Sequence, residues 1–575
     1  MSSTSFFADA AGLSRRISHD SPRLTMIVAM LCVVGVMLGF GSNATSWFGI
    51  VFSGTQPQPT QALPLTALPF ALMVSAARVI CWFAVSFLCA LAGAALVFGR
   101  EKPGRVALAL LEIVQAVPIP AFMVLALPVC FGAHGWLAGH ALTGEILIGA
   151  PAFAALTFPM MDAAIRAHQK VPAHLVLAAH SFGLRPWPRF WRLYAPFGLP
   201  AVVRSIGHAM PNVWLGLTFA EVYAGMKQLP LSPGLGGYAV SSIRNHASLA
   251  FALTLLATGC LVMATDFLIV RPMRKWGQRF DKGSSTRSTS AAFGDIPLLG
   301  RMFTDGSRLL RIVGNLPLGP APKATVLDDP EKTPRIIALI IPALLGVAGL
   351  LACEAAPNGL PDPDEWLRAG LLGIGEMLTL LVPLGICSVV LLPIAVGLKR
   401  WADTLMPAFR FLALFPAVLL FPLVVALVGP ESPFSPLLFV GLPFFLAFHL
   451  LIGVQDFPRN LQEVTRAYRI RGWLRWKTIL LPGLAQSWLK GVHRAFFWGW
   501  NAVIAADMTL WGTHISEHGL IGRAIIDATS RGDMAQASLG IMVMTLLAMG
   551  SEALIWRPLG LYVRRRTTGQ TMETS

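Results

Sequence analysis

Apolar residues are grouped in blocks of roughly 20 to 30, long enough to cross a hydrocarbon layer, with short polar connections between them. In the first part of the chain the blocks fall near 24–42, 67–98, 106–132, 142–162, 203–226 and 248–270. In the second they fall near 335–353, 367–397, 405–428, 435–455, 489–512 and 535–556. This pattern predicts an all-α membrane protein with about 12 transmembrane helices. Proline and glycine interrupt several blocks, so the span ends are loosely marked. The first block follows Arg15, Arg16 and Arg23, as a secretory signal would. It is long for a signal and no small-residue cleavage site follows, so it is expected to be a retained span.

Composition supports this reading. Of 575 residues, 55% are apolar and only 13% charged, which argues against an ordinary soluble enzyme. With the N-terminus placed in the cytoplasm, 39 of the 45 Lys and Arg residues fall in cytoplasmic connections. Arg78, Lys227, Arg244, Arg368, Arg523 and Arg531 fall on or near the other side. This bias predicts both termini in the cytoplasm, in a bacterial inner membrane. The net charge of +16 is then mainly an orientation signal, and no basic face with base-reading or stacking elements suggests a nucleic-acid partner. The seven cysteines lie in apolar runs without CxxC spacing and read as small buried residues, not as disulfides or a zinc site.

The chain repeats itself. Leu177-Ala178-Ala179-His180-Ser181-Phe182-Gly183, followed after nine residues by Leu193-Tyr194-Ala195-Pro196, has a counterpart 286 residues later. There Glu463-Val464-Thr465-Arg466-Ala467-Tyr468-Arg469 leads, after nine residues, to Ile479-Leu480-Leu481-Pro482. The same offset relates Trp214 to Trp500, Glu221 to Asp507, Asp266 to Glu552 and Arg271-Pro272 to Arg557-Pro558. Upstream the offset drifts to 296, matching Pro120-Ala121 to Pro416-Ala417. The predicted organisation is a six-span domain over 1–272, a cytoplasmic linker over 273–334, a second six-span domain over 335–566 and a tail over 567–575. The linker is Ser/Thr/Gly-rich, then Pro-rich. Its mixed basic and apolar stretch Arg301 to Val313 reads equally as a membrane-surface helix or as linker.

The repeated cytoplasmic segment has a physical reading of its own. Pro172 and Pro458 begin short helix-compatible stretches, 172–182 and 458–468, as proline suits a first helical turn. Gly183 suits a left-handed helix end, and Ala178 and Ala179 allow another surface to approach closely. Arg185, Arg189 and Arg192, like Arg466, Arg471 and Arg475, place cations beside each stretch.

This segment resembles the E-A-A-x3-G-x9-I-x-L-P signature of permease subunits of binding-protein-dependent ABC importers. The first copy keeps Ala178, Ala179, Gly183 and Pro196 but has Leu177 in place of Glu. The second keeps Glu463, Ile479, Leu481 and Pro482 but has Arg469 in place of Gly, with Gly472 three residues later as a second candidate. The resemblance implies a type I importer fold, two fused six-helix permease domains, and an ATPase-coupling role for Ala178, Ala179, Gly183, Pro196, Glu463, Arg469, Gly472 and Pro482. It also implies two cytoplasmic ABC ATPase subunits, with ATP and Mg bound on them, and an extracytoplasmic solute-binding protein. The run Trp498 to Met508, followed by Gly519-Leu520-Ile521-Gly522 and Gly532-Asp533, is similar to the nitrate/sulfonate/taurine class of these permeases. Small oxyanions, sulfonates and similar organic anions are therefore among the implied solutes. No G-x-x-x-x-G-K-[ST] phosphate loop occurs, so the chain itself is expected to be a transporter subunit and not an enzyme, binding no cofactor.

Several residues are candidates for the translocation path or its gate. Glu221 and Asp507 are membrane carboxylates, costly and therefore functional candidates. Two acids would repel an anionic solute, which favours a structural or gating role through hydrogen bonds near the following Gly-rich turn. Arg78 reads as an anion attractor or an interfacial anchor, and Trp214 and Trp500 as path-lining or packing residues. His514 and His518 have the i, i+4 spacing of metal ligands but no third ligand nearby, so a solvated loop is the better reading. The competing architecture is a twelve-span secondary transporter of the major facilitator type, since Glu101-Lys102-Pro103-Gly104-Arg105 resembles that class's D-R-x-G-R loop. The corresponding loop Lys399 to Asp403 does not repeat it.

Overall fold

A computed structural model describes residues 64–98, 101–131, 143–227, 233–278, 280, 363–423, 437–455, 457, 461, 463, 465, 467–509, 521–531 and 533–568. Expectations for the blocks 24–42 and 335–353, most of the linker, and His514 and His518 lie outside these residues. Among the described residues the fold is all-helical.

The first half contains α1 (Leu68–Val97), α2 (Glu101–Ala116), α3 (Ala121–Phe131), α4 (Thr143–His168) and the short α5 (Ala173–Ser181) and α6 (Pro186–Arg189). It continues with α7 (Ala195–Met226), α8 (Leu235–Arg244), α9 (Ser248–Thr265) and α10 (Arg271–Gln278). The second contains α11 (Pro363–Gly397), α12 (Ala402–Leu414), α13 (Leu437–Gln455) and α14 (Gly472–Arg475). After these come α15 (Leu481–Thr509), α16 (Ile521–Ser530), α17 (Met534–Ser551) and α18 (Arg557–Thr568). Among the described residues, five helical stretches are long and apolar enough to cross a membrane: Leu65–Val97, Thr143–His168, Ser248–Gly277, Gly370–Gly397 and Gln536–Arg566. Thr404–Leu414 with Ala417–Leu423 makes a sixth if this bent pair is one span. The chain is a multi-pass membrane protein. On α11, Leu371, Ile374, Leu378, Val382, Ile386 and Val389 are exposed at helical spacing, the outward apolar stripe of a helix facing lipid.

From residue 190 onward the repeat offset of 286 reappears element by element, pairing α7 with α15, α8 with α16 and α9 with α17. Proline explains a shared detail. Wide π-type turns occur at Phe190–Tyr194, Asp266–Val270, Trp476–Leu480 and Glu552–Trp556. In each, the residue after the turn donates its N–H five residues back, as Ala195 does to Phe190 and Leu481 to Trp476. Pro196, Pro272, Pro482 and Pro558 come next in the chain. A proline has no N–H to give and its ring clashes with the carbonyl four residues back, so an intact α-helix cannot run through it without opening. The widened turn absorbs the mismatch and lets the helix continue.

Proline also breaks the third apolar block of each half, expected as a single span over 106–132 and 405–428. In the first half the helix stops at Ala116 and resumes at Ala121, across Pro118 and Pro120. In the second the axis bends by 72° at Phe415-Pro416. The cysteine expectation is also corrected. Cys81 and Cys89 are exposed free thiols on the outer side of α1, because a lipid-facing surface accepts small apolar residues as readily as a core does.

The two halves share one core, in which Trp214, Trp500, Phe219 and Phe496 are almost wholly buried. Polar contacts cross between the halves. The Asn501 Oδ1 accepts the Ile119 N–H at 2.7 Å, and Lys227 Nζ donates to Ser530 Oγ at 3.1 Å. Arg557 meets Glu112 at 2.9 Å, and Arg410 pairs with Asp266.

Candidate functional site

The first loop segment forms α5 with Pro172 as its extended N-cap, so the helix starts one residue later than the sequence suggests. It ends at a left-handed turn. Gly183 has φ +65°, and the Leu184 N–H reaches back to the Ala179 carbonyl at 3.1 Å. The second loop repeats this closure 286 residues on, with the Ile470 N–H donating to the Thr465 carbonyl at 3.1 Å. Arg469 takes the glycine's place with φ +52°, a conformation that costs a residue with a Cβ about 1 kcal/mol. Gly472 is also left-handed, but it opens α14 and does not close the helix before it.

Sequence reasoning missed the residue just before each left-handed position. Phe182 is 81% exposed and Tyr468, its repeat partner, 77%. Trp473 and Leu474 are exposed beside Tyr468, and Leu177 beside Phe182. The signal was present in the repeat register, which preserves an aromatic side chain in a polar loop. Ala179 is buried against the body of the protein and Ala178 is half-buried, whereas Glu463 is exposed. Arg189 is not free: its guanidinium contacts the His180 ring and lies over Phe98. Partial burial, with the Arg189 charge alongside, lowers the His180 pKa and favours a neutral ring. Pro196 and Pro482 occupy the first turns of α7 and α15, directly after the wide turns. Under the second loop lies a cavity of about 920 Å³ whose lining includes Lys399, Phe457, Thr465, Arg469, Arg471 and Arg475.

A second cluster forms at the opposite end of α7. Arg78, only 4% exposed, donates to Glu221 at 2.9 Å and to both oxygens of Glu145, at 2.6 and 2.7 Å. Ser75 Oγ donates to Glu221 at 2.7 Å, and the Gly236 N–H donates to it at 2.9 Å. A Cβ on Gly236 would lie 2.7 Å from the Glu221 Cβ, so the turn can close over the carboxylate only with glycine there. A Cβ on Gly522 would lie the same 2.7 Å from the Asp507 Cβ in the other half. Arg78 and Glu221, separate candidates in sequence, thus meet in one ion pair. Glu145 and Ser75 were not legible as their partners. Trp214 and Trp500 are each 1% exposed, within the core.

Residues 84–275 match the family described as binding-protein-dependent transport system inner membrane component. The matched stretch includes the first loop and Glu221. The chain is also similar to the nitrate import permease protein NrtB of Leptolyngbya laminosa, with 24% identity over 180 residues. The aligned region takes in 30% of this chain and 62% of that relative. No solved structure matches the chain.

Proposed function

We propose that this chain is the membrane permease of an ATP-driven importer, with two six-span halves, over 1–272 and 335–566, fused through the 273–334 linker. Its two basic loops dock separate cytoplasmic ATPase subunits, and a solute-binding protein delivers solute on the other side. Both termini lie in the cytoplasm, at the inner membrane. ATP and Mg stay on the ATPases, and this chain binds no cofactor. The observation that carries the reading is the paired loop geometry. An exposed aromatic residue, Phe182 or Tyr468, precedes a left-handed turn at Gly183 or Arg469, and Pro196 or Pro482 follows 13 residues later in both copies. An exposed aromatic ring in a polar loop is a ready anchor for a pocket on a partner.

In this reading Ala178, Ala179 and Glu463 form the docking faces, and Gly183, Arg469, Gly472, Pro196 and Pro482 fix their shape. Closure of the ATPases on ATP draws the loops together and tilts α7 and α15, the long helices that begin beside them. Arg78, Glu221 and Asp507 belong to the gate at the far end, and Trp214 and Trp500 to the closed path between. A small anion is the solute we favour, since the similar cyanobacterial protein is named a nitrate import permease.

The test is to co-express the full chain with its candidate ATPases and replace Phe182 and Tyr468 by Asp. Loss of ATPase co-purification, with the permease still folded, is the expected result. Undiminished co-purification and solute-stimulated ATP hydrolysis would remove the docking role. Uptake abolished by a protonophore but indifferent to ATP depletion would replace the importer with a proton-coupled carrier.

A further inference from the structure

The gate-end clusters of the two halves differ in charge. In the first half α1 supplies Ser75, which accepts the Leu235 N–H at 2.9 Å, and Arg78, which neutralises Glu221. In the second, the N–H of Ile521, the repeat counterpart of Leu235, is accepted at 3.2 Å by Glu376 of α11. Glu376 therefore stands where the first half has a hydroxyl and a guanidinium. Asp507, the second half's carboxylate, lies against the next residue of the same turn, where a Cβ on Gly522 would be 2.7 Å from the Asp507 Cβ and 3.3 Å from its Oδ2. Glu376 is 8% exposed, and among the described residues its Oε2 and the Asp507 Oδ2 have no hydrogen-bond partner.

Two buried carboxylates with a single N–H donor between them cannot both remain ionised cheaply, because like charges repel strongly where water is excluded. One proton removes a charge and turns an orphaned oxygen into an O–H donor for its neighbour. The charged groups on the surrounding elements are engaged elsewhere or exposed. Arg523 and Asp527 of α16 face each other at 3.9 Å, and Asp533 caps α17 through the Gln536 N–H. His449 of α13 contacts Arg494, His493 contacts Glu552, and Glu221 of α7 is held by Arg78. Lys227 donates to Ser530, and Arg368 is exposed eight residues before Glu376.

We propose that Glu376 and Asp507 form a proton-binding site, a single proton bridging the two carboxyl groups where the first half has a permanent Arg78–Glu221 ion pair. Uptake protonates one carboxylate, whose new O–H donates to the other, and release restores two anions that push α11 and α15 apart. The two gate ends are thus unequal, one locked by a fixed ion pair and the other closed only while it holds a proton. The proton site stands on these contacts alone, and its consequence for the gate rests on the importer reading.

The test uses the purified full chain in lipid nanodiscs and a hydrophobic carbodiimide, which modifies protonated carboxyl groups. Mass spectrometry is expected to find Glu376 or Asp507 modified at about pH 6, with about tenfold less label at about pH 9. E376Q and D507N should each remove the pH-dependent label. Absence of label at both positions throughout, or label independent of pH, would overturn the proposal. Suppression of labelling by sodium, at constant pH and with choline balancing ionic strength, would replace the proton with a metal cation. Thermal unfolding supplies a second readout: the melting temperature of the wild type should fall as pH rises, and that of E376Q should not. Equal pH slopes would count against the site. E376R, which gives Asp507 a fixed cation as Arg78 does for Glu221, is expected to melt independently of pH, and E376Q decides the matter if E376R fails to fold.

Discussion

At the scale of single residues, the strongest dependences concern groups whose partners are buried with them. Removing one member of a buried, hydrogen-bonded ion pair leaves an uncompensated charge, at a typical cost of about 3–5 kcal/mol. Arg78→Ala strands both Glu221 and Glu145, so it should lower the melting temperature in detergent more than Glu145→Ala, after which Arg78 keeps Glu221. Similar melting temperatures for the two variants would show that the ion pair is not what holds the cluster. The two left-handed loop positions should respond in opposite directions. Gly183→Ala forces a Cβ into φ +65° and should destabilise the first loop by about 1 kcal/mol. Arg469→Gly relieves the same strain in the second and should slow limited proteolysis there. The Gly183 turn was legible because glycine announces it. Arg469 was not, since only the backbone angle shows that an arginine has taken the glycine's conformation.

At the scale of elements, the link between loop and long helix is the wide turn ahead of Pro196 and Pro482. Pro196→Ala restores an N–H and removes the ring clash, so the turn at Phe190–Tyr194 can tighten to α geometry. Tightening rotates everything upstream of it relative to α7. Spin labels at Phe182 and Tyr468, both exposed, should report a shifted distance distribution in P196A. An unchanged distribution would mean that packing, not proline, sets the turn. The sequence carried the repeated prolines and their register, and apolar block lengths located α1, α4 and α11 closely. It did not reveal that the third block of each half breaks, because an apolar run with proline in it is compatible with a kink, a bend or two separate helices.

At the scale of the whole molecule, the halves are held together by a shared core and a few polar contacts. The clearest is Asn501, whose side chain satisfies a buried backbone N–H at Ile119 in the other half. Asn501→Leu leaves that donor without an acceptor, typically a loss of about 1–3 kcal/mol. If the chain is split within the 281–334 stretch, the two pieces should still co-purify, and N501L should weaken that association. Equal recovery with and without Asn501 would assign the joint to apolar packing alone. The sequence by itself determined what is local or periodic: the membrane class, the 286-residue repeat, the paired basic loops and the positions of the chain-breaking prolines. Only the tertiary structure decided who pairs with whom. Arg78 with Glu221 and Glu145, Glu376 with Ile521, and Asn501 with Ile119 all join distant parts of the chain, and such pairings depend on helix rotation and crossing, which no spacing along the chain encodes.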